Sequence, residues 1–130
     1  MVKEERWVMI LQETDLGVLR FYIDLIDGTD IDPADLTDAQ INEMYSVHRS
    51  HIDLNALALY VYNVGSPDWF EDAFCGKFDS REKFIDNYVK EVLGISVDNI
   101  YIDYDKMWYR GLAVRHYTLG DDNQYYFKHL

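Results

Sequence analysis

The sequence predicts an α+β domain with an N-terminal β-hairpin, about four helices and a closing C-terminal strand, carrying an acidic surface. Three observations predict it. β-Branched and aromatic residues crowd the first segments. Two capping signals open stretches whose apolar residues recur at three- and four-residue steps. Strands and helices do not alternate as a parallel sheet would require, and no repeat, Gly-rich linker or low-complexity tract interrupts the chain.

In order, Arg6 to Leu11 and Val18 to Ile26 read as the strands of the hairpin, with Thr14-Asp15-Leu16-Gly17 as its turn. Asp27 to Pro33 is a loop. Thr37-Asp38-Ala39-Gln40 has capping-box form and opens a helix to about Val47. From His51 the set Leu54, Leu57, Ala58 and Val61 marks a helix with one buried face, stopped at Gly65. A short helix is expected around Asp68 to Phe74, after Pro67. Asp79-Ser80-Arg81-Glu82 is a second capping box, followed by the stripe Phe84, Ile85, Tyr88, Val89, Val92 and Leu93 and a stop at Gly94. Asp103 caps a helix from Tyr104 to Arg115. Gly120 to Asn123 turns the chain into a strand over Gln124 to Lys128.

With 130 residues, 48% of them apolar and 15% aromatic, the chain is long enough to bury a core and is not disordered. Two small subdomains are expected, residues 1–50 with the hairpin and an acidic loop and helix, and residues 51–130. The lone Cys75 precludes an internal disulfide, and one thiol with four histidines precludes a Cys-rich zinc module. No 18-residue apolar run occurs and the first residues are polar, so a soluble protein of the cytoplasm, with no membrane partner, is expected.

Charge is the strongest signal. Lysine and arginine number 12 against 24 acids, a formal charge of −12, which disfavours direct contact with nucleic acid. From Glu13 to Asp72 thirteen acids face two bases, Arg20 and Arg49; the remainder holds eleven acids and ten bases. Between Phe21 and His48 there is no lysine or arginine, so seven carboxylates lack a basic neighbour in sequence and repel one another.

Enzymatic readings find little support. Asp27 to Asp32 resembles a calcium loop, but starting at Asp30 puts Asp35 where glycine must turn, and starting at Asp27 puts Ile31 on a ligand position. His48 and His51 have only Asp53 close by as a further metal ligand. No phosphate loop, nucleophile elbow, zinc-protease motif or dinucleotide fingerprint occurs, and Cys75 reads as a structural thiol. No enzymatic activity, metal or cofactor is expected. Tyr101, Tyr104, Trp108, Tyr109, Tyr125 and Tyr126 have the composition of a base-stacking platform but lack its basic groove, so they read as core and interface material.

The acidic window admits a plain reading as a solvated face and a sharper one, in which carboxylates substitute for phosphates. Duplex DNA carries one negative charge per roughly 1.7 Å of axis, and a protein groove built for it lines that track with bases. Asp24, Asp27 and Asp30 recur every three residues, as do Asp32, Asp35 and Asp38. With Glu43 these are the candidate phosphate surrogates, and Asp68, Glu71 and Asp72 are expected to extend the track.

The C-terminal part adds a resemblance. Trp69-Phe70-Glu71-Asp72-Ala73-Phe74-Cys75-Gly76-Lys77-Phe78-Asp79-Ser80, the helix to Leu93, and Ile102-Asp103-Tyr104-Asp105-Lys106-Met107-Trp108-Tyr109-Arg110-Gly111-Leu112 resemble the ArdA antirestriction proteins. In that family an F-E-D-A-Y-x-G-x-[YF]-x-S block precedes a helix, and a Y-I-D-Y-[ED] block opens a later one ending in A-R-D-L. Tyr101 to Asp105 reproduce the second block, with Arg110 and Leu112 in step, and the match covers residues 54 to 130. The resemblance implies an ArdA-like second subdomain and an acidic DNA mimic of phages or mobile elements. Such a protein occupies the DNA groove of a type I restriction-modification enzyme in the host cytoplasm. It also implies an elongated protein of a family whose members often form a homodimer. This chain is shorter than a usual member, and Trp108-Tyr109-Arg110-Gly111 stands where small and acidic residues are expected. A CRISPR effector is an alternative target. An acidic adaptor that binds another protein through Trp108 and Tyr109 is the alternative class of function.

Overall fold

The structure, a computed structural model, describes residues 16–130 and is mixed α+β, with helices and a small three-stranded antiparallel sheet. The chain divides into two compact units, the first ending at Phe70 and the second running Glu71–Leu130.

In the first unit, helix α1 (Leu16–Gly28) buries Phe21, Tyr22 and Leu25 and exposes Arg20, Asp24 and Asp27. This corrects the expected hairpin. Val18 to Ile26 has the β-branched and aromatic content of a strand, but its apolar residues recur at the 18, 21/22, 25 spacing of a helix. Burial of that stripe outweighs the weak local preference. The expected partner strand, Arg6 to Leu11, lies outside the described residues.

Asp32 caps a 3-10 turn (Pro33–Asp35) by accepting the Ala34 amide at 3.0 Å. Helix α2 (Asp38–Val47) opens with the anticipated capping box, in which Thr37 Oγ1 accepts from the Gln40 amide and Gln40 Oε1 from the Thr37 amide. Helix α3 (Leu54–Val64) is capped by Asp53 and ends at Gly65, whose φ of 104° is the left-handed stop expected of glycine. The three helices pack pairwise around Leu25, Met44, Leu57 and Val61, and Gln40 Nε2 donates to the Gly65 carbonyl at 3.1 Å. Because α3 closes on α1 and α2, the first unit continues past residue 50, where the sequence reading divided the chain.

At the boundary, the short helix α4 (Phe70–Ala73) leads into strand β1 (Phe74–Lys77). Helix α5 (Arg81–Glu91) is capped by Ser80, which accepts the Lys83 amide at 3.2 Å; with lysine at that position the expected reciprocal capping box does not form. Its end is closed by Gly94, with φ 68° and the Ile95 amide donating to the Val89 carbonyl. Asp103 caps helix α6 (Tyr104–Met107) as expected, but the chain then widens into a π-turn (Trp108–Leu112) before α7 (Ala113–Arg115). Strands β2 (His116–Leu119) and β3 (Tyr125–Lys128) follow, joined by the anticipated turn, and the sheet order is β1-β3-β2.

The second core holds Phe84, Ile85, Val89, Leu112 and Tyr126. Phe84 and Tyr126 stack with centroids 4.4 Å apart and an interplanar angle of 10°. Burying side chains of this size supplies about 2–3 kcal/mol each, so α5 is held to the sheet by its aromatic face.

Candidate functional site

All ten acidic candidates are solvent-exposed: Asp24, Asp27, Asp30, Asp32, Asp35, Asp38, Glu43, Asp68, Glu71 and Asp72. Over residues 16–70 nine acids stand against Arg20 and Arg49, a formal charge of −7, whereas residues 71–130 carry eleven acids and eight bases. The charge excess therefore concentrates on the three-helix unit.

How each acid is held differs. Asp24 and Asp27 lie on the outward face of α1, one turn apart, in the C-terminal half of a helix that carries no base in its last turn. Arg20 shares that face four residues before Asp24, yet Asp24, Asp27, Asp35 and Glu43 have no ion-pair partner among the described residues. Asp30 belongs to the loop after α1, and its carboxylate accepts Asn55 Nδ2 at 3.0 Å. Asp32 combines exposure with capping. Asp38 occupies the first turn of α2, where a negative charge favours the helix dipole. At about 100° per residue, Asp38 and Glu43 point roughly 140° apart, so α2 does not align them.

Asp68 follows α3; its backbone carbonyl accepts Tyr60 Oη at 3.3 Å, and burial, then the Asp68 charge, pushes the Tyr60 hydroxyl pKa up. Beside it Trp69 is 70% exposed with a φ of 68°. A bulky residue held in the left-handed region is strained, and the sequence offers no mark of it beyond the preceding Pro67-Asp68 turn.

Glu71 and Asp72 stand in a different setting. They line a cavity of about 650 Å3 in the second unit, together with Cys75, Arg115, His116, Lys128 and His129. Their expected role as an extension of the acidic track is thus combined with a mixed-charge environment. The β2–β3 pairing places His116 directly opposite Lys128, bringing Arg115-His116 and Lys128-His129 to one end of the sheet. His116 is buried, and its Nδ1 lies 3.0 Å from the Leu112 carbonyl, to which it donates in the neutral ring. Burial lowers the His116 pKa, the Leu112 bond opposes this, and the charges of His129, Lys128 and Arg115 lower it further. Burial pushes the Cys75 thiol up, partly offset by Lys128. The two Arg-His and Lys-His pairs were the sequence signal for this cavity, but they are meaningful only once β2 is known to be a strand.

The aromatic alternative is divided by the structure. Trp108 is half-buried and meets Phe84 edge-on at 6.2 Å and Tyr126 at 6.2 Å, so it belongs to the core. Tyr109 is 67% exposed. Arg81 lies over both rings, 4.8 Å from Trp108 and 5.3 Å from Tyr109. Tyr104 donates to Asp86 at 2.6 Å, a bond that raises its own pKa, and Tyr125 and Tyr126 are buried.

His48 packs against Phe21 at 5.4 Å, and among the described residues no three histidines, cysteines or acids converge as metal ligands. No helix of the described residues is long and apolar enough to cross a membrane. No family model, curated protein or solved structure matches the chain, so the acidic helical unit and the cavity stand on their own chemistry.

Proposed function

We propose that this protein is a non-enzymatic inhibitor that imitates DNA and occupies the basic groove of a host defence enzyme. The observation that supports it is the exposure of the acidic candidates on the three-helix unit, four of them without an ion-pair partner among the described residues. Uncompensated carboxylates on a packed helical scaffold repel one another in the free protein. A groove lined with arginine and lysine relieves that repulsion and releases its own counterions, as it does with phosphates. The same charges accelerate encounter and make binding weaken with salt. The similarity of residues 69–80 and 101–112 to the ArdA blocks favours a type I restriction-modification enzyme as the target. A CRISPR effector presents a groove of the same chemistry.

The test is displacement of a fluorescent duplex from a type I methyltransferase core, with a CRISPR effector in parallel. The protein is expected to displace DNA from one of them, with affinity falling on the order of tenfold or more between about 50 and 200 mM salt. Joint replacement of Asp24, Asp27, Asp35 and Glu43 by their amides is expected to abolish displacement. Displacement from neither enzyme, or full activity of the amide variant, overturns the reading.

A further inference from the structure

We infer that the cavity of the second unit is a binding site for a small organic anion, a carboxylate or phosphate head carried on an aromatic body. The cavity is about 650 Å3, within the range of small-molecule sites, and it lies wholly among residues 71–130. Its polar lining is of mixed charge, Arg115, Lys128, His116 and His129 together with Glu71 and Asp72. Arg115 and Lys128 both line it, and among the described residues neither has a carboxylate within ion-pair distance. The sheet puts them there. His116 pairs across the ladder with Lys128, Arg115 precedes the first, and His129 follows the second, its amide donating to the Arg115 carbonyl at 2.8 Å.

The rest of the lining fixes the other end of the ligand. Phe74, Phe84, Tyr88, Val92 and Val114 supply an apolar and aromatic surface, of which Val92 is 64% and Val114 76% exposed. An aromatic body would cover it. Glu71 and Asp72 also line the cavity, and they repel an anionic head toward Arg115 and Lys128. His116, neutral and donating to Leu112, offers its other nitrogen as an acceptor to a protonated head. The charges that reach His116 are those of His129, Lys128 and Arg115, and Lys128 also reaches Cys75; the ladder holds these residues at one end of the sheet. This site is independent of the acidic surface of the first unit and stands whether or not that surface mimics DNA.

The chain's one cysteine lines the cavity and reports on its occupancy. The experiment follows alkylation of Cys75 by iodoacetamide in the intact protein while phenyl phosphate is added. Phenyl phosphate is expected to slow alkylation saturably. Inorganic phosphate is expected to act only at higher concentration, and phenol not to act. Replacing Arg115 and Lys128 together by glutamine should raise the phenyl phosphate concentration needed by about tenfold or more, tenfold being the low end for one hydrogen bond to a charged group. Asp72→Asn should lower that concentration several-fold, and it keeps the test decisive if the double variant does not fold. No saturable protection, protection by phenol equal to that by phenyl phosphate, or an unchanged concentration dependence in the folded variants overturns the site.

Discussion

Asp30 and Asn55 hold each other through two hydrogen bonds: the Asp30 amide donates to Asn55 Oδ1 at 2.8 Å, and Asn55 Nδ2 donates to Asp30 Oδ2 at 3.0 Å. The pair ties the acidic loop after α1 to the first turn of α3, twenty-five residues on. One carboxylate thereby stays exposed while its backbone is immobilised. Asn55→Ala removes both bonds and leaves every acid in place. It is expected to destabilise the protein by about 1–2 kcal/mol in urea unfolding, given the exposure of the pair. It should also weaken target binding several-fold through loop disorder, while the salt dependence of binding stays unchanged. Asn55→Asp should cost more at neutral pH, because it sets two carboxylates against each other. Its excess cost should vanish as the pH falls toward about 4.

Asp24 and Asp27 set function against stability. Both sit toward the negative end of the α1 dipole, and no base in the last turn compensates them. Asp27→Asn is expected to stabilise the protein by about 0.3–1 kcal/mol at low salt, and by less as salt screens the interaction. The same substitution should weaken competition with DNA. A urea midpoint that does not rise, or a binding affinity that does, would contradict the view that these acids are retained at the expense of stability.

What the sequence revealed follows from how local each signal is. The Thr37–Gln40 box, the Gly65 stop, the Asp103 cap and the strand at Tyr125 were legible because each depends on residues within one turn of one another. Helix α1 was not, since its residues satisfy the composition of a strand and the period of a helix at once, and only packing against α2 and α3 chooses. Strands β1 and β2 are four residues long, too short for alternation to show, and β1 exists because Phe74 to Lys77 meets Phe127 to Tyr125, about fifty residues away. A bulge at Cys75 breaks even that short ladder. For the acids, exposure was legible from polarity, but direction was not. Asp38 and Glu43 diverge on α2, and Glu71 and Asp72 share a cavity with Arg115 and Lys128, residues that only the β2–β3 register brings close.

His116 makes stability depend on pH in a window of its own. Its ring is packed against Phe84 at 5.2 Å and Tyr88 at 6.0 Å, donates to the Leu112 carbonyl, and shares a cavity with Arg115, Lys128, His129, Glu71 and Asp72. Burial lowers its folded pKa below the ordinary value of 6.5; the Leu112 bond opposes this, and His129, Lys128 and Arg115 act with burial. The unfolded chain therefore takes up this proton first. Its contribution to stability is complete above about pH 6.5 and declines as the pH falls from there through the lower folded pKa. Asp and Glu residues protonate mainly below about pH 5 and relieve their repulsion there, so the two effects have opposite signs in adjoining ranges. Urea unfolding at pH 7.5, 6.5 and 5.5 should show stability falling across this series. His116→Phe, which keeps a ring against Phe84 and Tyr88 but binds no proton, should flatten the fall even though it loses the Leu112 bond. The His116 ring protons should titrate below pH 6.5 by NMR; titration above that value would show that the ring is not held neutral by its surroundings.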